Sequence, residues 1–176
     1  MTTARFDAAS AECLVFTKKA GLLAGIGHDL KLRVERFEVA IDPESIRGRF
    51  DAASLRVVCA SVGGQDAPGA LSERDRREIE ATIAREVLDA QSHPWIEFRA
   101  GPPVLAGAAA SRLEGILALR GRERPLTIDV RREGDRAIAL ASIHQPDFGI
   151  RPYTAMLGAL RVRPDVGVRL TAPWPD

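Results

Sequence analysis

Short runs in which apolar and polar residues alternate recur eight times along this chain, and one stretch departs from the pattern. Successive side chains of a strand point to opposite faces, so each run offers one apolar face to a core and one polar face to water. The first run is Glu12–Thr17. The second opens with Leu30, Leu32 and Val34, after which the apolar phase slips by one residue to Phe37, Val39 and Ile41. An unbroken strand would turn half of these side chains outward, so the slip predicts a β-bulge around Glu35 and Arg36. Leu55, Val57 and Cys59 mark the third strand, Trp95–Arg99 the fourth, and Leu113, Gly115, Leu117 and Leu119 one face of the fifth. Beyond the turn residues Gly121–Arg124, Leu126, Ile128 and Val130 give the sixth. Beyond Glu133-Gly134, Arg136–His144 makes the seventh, with Ile138 and Leu140 on one face and small alanines on the other. Leu160, Val162, Val166, Val168 and Leu170 form the eighth, with Pro164-Asp165 as a bulge or kink.

The exception is Ser72–Ala90, where Ile79, Ile83, Val87 and Leu88 recur at helical spacing and charges fill the other face. Ser72 followed three residues later by Asp75 is an N-cap signature, and Pro94 requires the helix to have ended. Such a helix must lay its apolar stripe on the sheet as a lid or buttress. The fold class expected is therefore all-β: an eight-stranded antiparallel barrel with one amphipathic helix, a single domain over residues 1–176. Val62–Ala70 and Gly101–Ala110 read as loops. Eight strands is about the number at which a barrel interior holds either packed side chains or one small ligand.

Composition narrows the function classes. Basic and acidic side chains number 25 and 24, for a net charge of +1, and aromatics are 5% of the chain. Neither a polyanion-binding field nor stacking platforms for nucleic acid are supplied, so no nucleic-acid partner is expected. The runs Ala20–Gly27 and Val104–Ala110 fall far short of a bilayer span, so no transmembrane segment is expected. The start MTTARFD lacks the apolar stretch of a secretory signal, which predicts a cytoplasmic location. Cys13 and Cys59 each sit inside an alternating run and read as buried free thiols. His28, His93 and His144 are isolated, without metal-ligand spacing, so neither a metal nor another cofactor is expected. No nucleophile elbow is present, and GLLAGIG (Gly21–Gly27) leads into a strand, unlike a phosphate loop.

Three ordered pieces carry a resemblance: EVLDAQSHPWIEF at the helix exit, LEGILALRG, and QPDFGIRPYTAMLGALRV, with GHDLKLRVERFEVAI and FDAASLRVV in the first half. Together they resemble the YceI-like family, from about Ala11 to Leu170. The resemblance implies a lipocalin-like, polyisoprenoid-binding barrel whose apolar tube takes an isoprenoid or other long-chain lipid. On that basis the chain is expected to be a carrier without enzymatic activity. Leu32, Val34, Leu55, Val57, Phe98, Leu117, Leu119, Ile128, Leu160 and Val162 are the candidate ligand contacts, and His28, Arg151 and Tyr153 the candidate head-group contacts. The alternative is a small enzyme or stress-related factor acting on a bound hydrophobic substrate through His28, Asp29 and His144. Pairing of two barrels into a homodimer stays open.

Overall fold

The computed structural model describes residues 3–21, 27–102, 110–158 and 160–175. The loop expected at Gly101–Ala110 and the GLLAGIG segment lie mostly outside them. Along the chain run β1 (Ala4–Asp7), β2 (Glu12–Thr17), β3 (Lys19–Ala20), β4 (Asp29–Val34), β5 (Phe37–Asp42), β6 (Ser45–Asp51), β7 (Leu55–Val62) and β8 (Gln65–Ala67). After α1 (Glu73–Thr82) come β9 (Trp95–Ala100), β10 (Ala110–Leu119), β11 (Arg122–Glu133), β12 (Arg136–His144), β13 (Thr154–Ala155), β14 (Leu160–Val162) and β15 (Asp165–Pro173).

All described pairings are antiparallel, and they run in a ring. From β2 the order passes to β4, which continues through Glu35-Arg36 into β5, then to β6, β9, β10, β11, β12, β15 and back to β2. Counting β4 with β5 and β6 with β7 as bent strands gives eight staves, the number the alternation predicts. The break at Glu35-Arg36 is where the phase slip places it, and a further register shift precedes it at Lys31/Leu32.

The two bends lie side by side and share one residue. Ser54, fully buried, accepts from the Arg36 amide at 3.1 Å and donates to the Asp51 carbonyl at 2.8 Å, while its own carbonyl accepts from the Glu35 amide at 3.1 Å. A small hydroxyl thus satisfies backbone groups that the kink takes out of the ladder. Phe37 and Phe50 stack beside it with ring centroids 5.6 Å apart.

The bends also explain the helix. β6 pairs with β9 only as far as Asp51 opposite Trp95, so β7 diverges from β9 and leaves a seam. α1 covers that seam, and Ile79, Ile83 and Val87 pack on the core. On the β7 edge the Val57 amide donates to Glu80 Oε1 at 2.8 Å, so a helix side chain replaces the missing strand partner. Ser72 and Asp75 form the expected reciprocal cap. The helix runs into a wide π turn at Ile83–Val87 and ends there, short of the expected Ala90, because Asp89 turns left-handed at φ 47°.

Four other expectations need correction. The third strand is longer than its apolar run, because β6 precedes it. The Val62–Ala70 loop holds the short strand β8, which returns through the Gly63-Gly64 turn with both φ positive, the geometry of a two-residue hairpin. β1 adds to the edge of β5 ahead of the first predicted strand. The eighth run is divided: β15 closes the ring, whereas β14 belongs with β13 and β3 to a separate three-stranded sheet.

Gly115 is where a side chain is least tolerable. A Cβ there would lie 2.4 Å from the Phe98 ring and 2.6 Å from the Arg99 carbonyl oxygen, so the ring needs the glycine's empty face. Gly115→Val is expected to cost roughly 1–3 kcal/mol through overpacking, read as a lowered midpoint in urea unfolding at unchanged slope.

Candidate functional site

The interior of the ring is a cavity of about 660 Å³, within the roughly 300–1,000 Å³ of small-molecule sites. Every stave contributes to its wall: Cys13 and Val15 of β2, Leu30, Leu32 and Val34 of β4, Val39 and Ile41 of β5, Ile46 and Phe50 of β6, and Leu55 of β7. Ile96 and Phe98 of β9, Leu113, Leu117 and Leu119 of β10, Leu126, Ile128 and Val130 of β11, and Val166, Val168 and Leu170 of β15 complete it. On β12 the inward face is mostly small: Ala137, Ala139 and Ala141 line the cavity together with Ile143, and Ile138 and Leu140 point the other way. An eight-stranded barrel with branched side chains at all inward positions fills itself, so these small residues are what leaves the space.

The cavity reaches a polar mouth at one end. The register places the end of β2, the start of β4 and the ends of β7 and β12 there, since Thr17 faces Leu30, Asp29 faces Ser61 and His144 faces Asp165. The small sheet stands at this rim, with Arg161 opposite both Ala20 and Thr154 and Val162 opposite Lys19. Lys19, His28, Tyr153 and Arg161 line it from this side, and Asp75, Glu78 and Thr82 from α1.

Of the ten candidate contacts, Leu32, Val34, Leu55, Phe98, Leu117, Leu119, Ile128 and Val162 line the cavity. Val57 is buried in the core without reaching the wall, and the Leu160 side chain lies outside the described residues. Among the head-group candidates His28 and Tyr153 are at the rim, whereas Arg151 is exposed and does not line it. Reading the sequence missed Lys19, Arg161 and the polar helix face. The alanine stripe of β12 was legible as a run of small residues, but not as the inward side.

His28, Asp29 and His144 do not converge. Asp29 accepts from the Lys19 amide at 2.8 Å and pairs with Lys18 Nζ at 3.2 Å, while Lys19 Nζ donates to the Gly27 carbonyl at 3.0 Å. His144 faces away from the cavity and pairs with Asp165, Nδ1 to Oδ1, at 2.8 Å. His93 stands by the β10–β11 turn, against Gly121. Among the described residues no three His, Cys, Asp or Glu side chains gather as a metal site requires. Both cysteines are buried and free. Burial, helped by the Glu12 charge, pushes the Cys13 thiol up to about 12, so it is no thiolate nucleophile near neutral pH.

Partial burial, with the side chain 16% exposed, works to raise the Asp29 carboxyl; the hydrogen bonds from Lys19 and Lys18 and their two charges outweigh it and hold the group below its ordinary range. A depressed carboxyl stabilises the fold fully above its unfolded pKa, about 3.9, and the contribution is lost as pH falls through the lower folded value. Asp29→Asn should therefore lower stability at neutral pH, and the gap to wild type should close in strong acid, as urea unfolding at stepped pH would record.

No match is found among functionally curated proteins. The family model of the YceI-like domain matches residues 4–173. The chain belongs to the YceI-like family. Solved structures agree on the fold. Burkholderia cenocepacia BcnA is 16% identical with a TM-score of 0.64, covering 96% of this chain and 99% of its own. A polyisoprenoid-binding domain from Saccharophagus degradans, implicated in plant cell wall breakdown, is 13% identical with a TM-score of 0.62, covering 97% and 98%. A Campylobacter jejuni YceI protein is 12% identical with a TM-score of 0.51, covering 84% and 86%. This YceI-like chain therefore shares the fold of those structures. Among the described residues no helix is long and apolar enough to cross a membrane.

Proposed function

We propose that the chain binds one long apolar molecule, a polyisoprenoid or related long-chain lipid, along the barrel axis and carries or sequesters it without chemistry. The observation that carries this reading is the hollow itself: apolar on every stave, kept open by Ala137, Ala139 and Ala141, and polar only at one rim. The eight wall residues named above contact the chain. Lys19, His28, Tyr153 and Arg161 receive its polar end. Each buried methylene contributes roughly 0.8 kcal/mol, so about fifteen offset an association cost on the order of 10 kcal/mol and leave a net gain. The separation of His144 from the cavity, and the engagement of Asp29 by two lysines, favour a carrier over an enzyme.

Delipidated protein titrated with a prenyl alcohol should displace an environment-sensitive fatty-acid probe saturably, at one equivalent. A probe whose emission never shifts on mixing with the protein would count against the proposal.

A further inference from the structure

The rim that opens the cavity also carries the most exposed large apolar side chain among the described residues. Leu157 sits in the β13–β14 connection, 108% exposed, with φ 56° in the left-handed region. A leucine is disfavoured there by its Cβ, and full exposure gives it no packing in return. Neither local conformation nor the core of this chain selects that residue; glycine or asparagine would serve the turn better. Tyr153 in the same segment is 46% exposed, and Val62, at the β7–β8 turn on the same end of the barrel, is 54% exposed.

Charge around this tip is one-sided although the chain as a whole is balanced. No acid occurs between Glu12 and Asp29 or between Asp147 and Asp165, and these two stretches hold Lys18, Lys19, Arg151, Arg161 and Arg163. Among the described residues only Lys18 of the five is in an ion pair. Asp29, Asp66 and Asp165 at this end are each already engaged, by Lys18, Lys31 and His144. Asp75 and Glu78 lie across the mouth on α1.

We infer that the β13–β14 connection is a docking tip for an anionic lipid bilayer, with Leu157 entering the interface and the surrounding cations held over the headgroups. An apolar side chain on a segment whose flanking stretches carry Lys and Arg but no acid matches that surface, and cations near it add attraction that salt screens. Placement at the cavity mouth gives a route for ligand exchange: a long apolar chain is nearly insoluble, and a rim touching the bilayer lets it pass without crossing water. The exchange role rests on the lipid-binding reading; the docking surface does not.

The test is co-sedimentation with vesicles of equal parts phosphatidylcholine and phosphatidylglycerol, against vesicles of phosphatidylcholine alone. Wild type should pellet with the anionic vesicles at low salt and be released at high salt. Leu157→Asn should weaken binding about tenfold, as expected for loss of one buried leucine, while melting at or above the wild-type temperature, because Asn tolerates the left-handed backbone. Arg151→Gln and Arg163→Gln should each weaken it about fivefold. Probe displacement in vesicle-free solution should be the same in all three variants. Equal binding to both vesicle types, no binding to either, unchanged binding by Leu157→Asn, or a concentration-dependent dimer abolished by Leu157→Asn would each overturn the docking assignment. Loss of probe binding by wild type in solution would instead count against the lipid-carrier reading.

Discussion

Ala139→Trp is expected to leave the barrel folded and to abolish lipid uptake. Ala139 is in the wall, opposite Val130 on one side and Leu170 on the other, and both of those line the cavity. Because the space beyond its methyl group is empty, an indole can enter it without displacing a packed neighbour. A ring that excludes about four methylenes of the ligand removes roughly 3 kcal/mol, which is above a hundredfold in affinity. Probe titration reads the loss, and circular dichroism with thermal unfolding reports the intact fold. A folded Ala139→Trp protein that binds the probe at wild-type affinity would place the ligand outside the tube.

The second large effect is Leu117→Arg. Leu117 is 4% exposed and faces the cavity beside Phe98. An unpaired guanidinium there loses its hydration with no carboxylate among the neighbouring wall residues, so a destabilisation of several kcal/mol is expected. Lipid binding should fall with it. Leu117→Ala, costing about 2–5 kcal/mol, serves as the companion variant: it enlarges the tube while leaving it apolar, so the folded fraction should still take up lipid. Chemical denaturation and probe binding on the same samples separate the two consequences. Retention of the probe by folded Leu117→Arg protein would contradict the proposed position of the chain.

Much of this architecture is legible in the sequence because a strand buried on one face must alternate. The phase slip between Val34 and Phe37 reveals the bend, since no straight strand could keep both halves inside. β6 escapes the same logic: its inward positions are Ile46, Gly48 and Phe50, and the central one is a glycine with no apolar signal. The glycine is there because Phe50 and Phe98 occupy the space, its Cβ position lying 2.9 Å from the first and 3.7 Å from the second. Pro164 defeats the reading for another reason. Alternation continues on both sides of it, yet the chain crosses from the small sheet to the barrel, and hydropathy does not say with which strand a residue pairs.

On β12 the inner face is apolar and mostly small, while the outer one carries the bulky Ile138 and Leu140 among Arg136, Ser142 and His144. The alternation assigns Ile138 and Leu140 to one face and the alanines to the other without saying which is inside, and a hollow barrel reserves its interior for the small side chains. The rim was the least legible part. Lys19 and Arg161 are unremarkable as single charges in their own segments, and they become neighbours only because β3 pairs with β14.

Native mass spectrometry of freshly purified protein, followed by organic extraction of the same sample, tests lipid carriage most directly. The expected result is a mass above that of the bare 19.1 kDa chain, reduced to the chain mass on extraction, with one long-chain lipid recovered per protein and absent from Ala139→Trp. A bare chain that yields no lipid, and that binds none when prenyl or fatty compounds are added back, would contradict it.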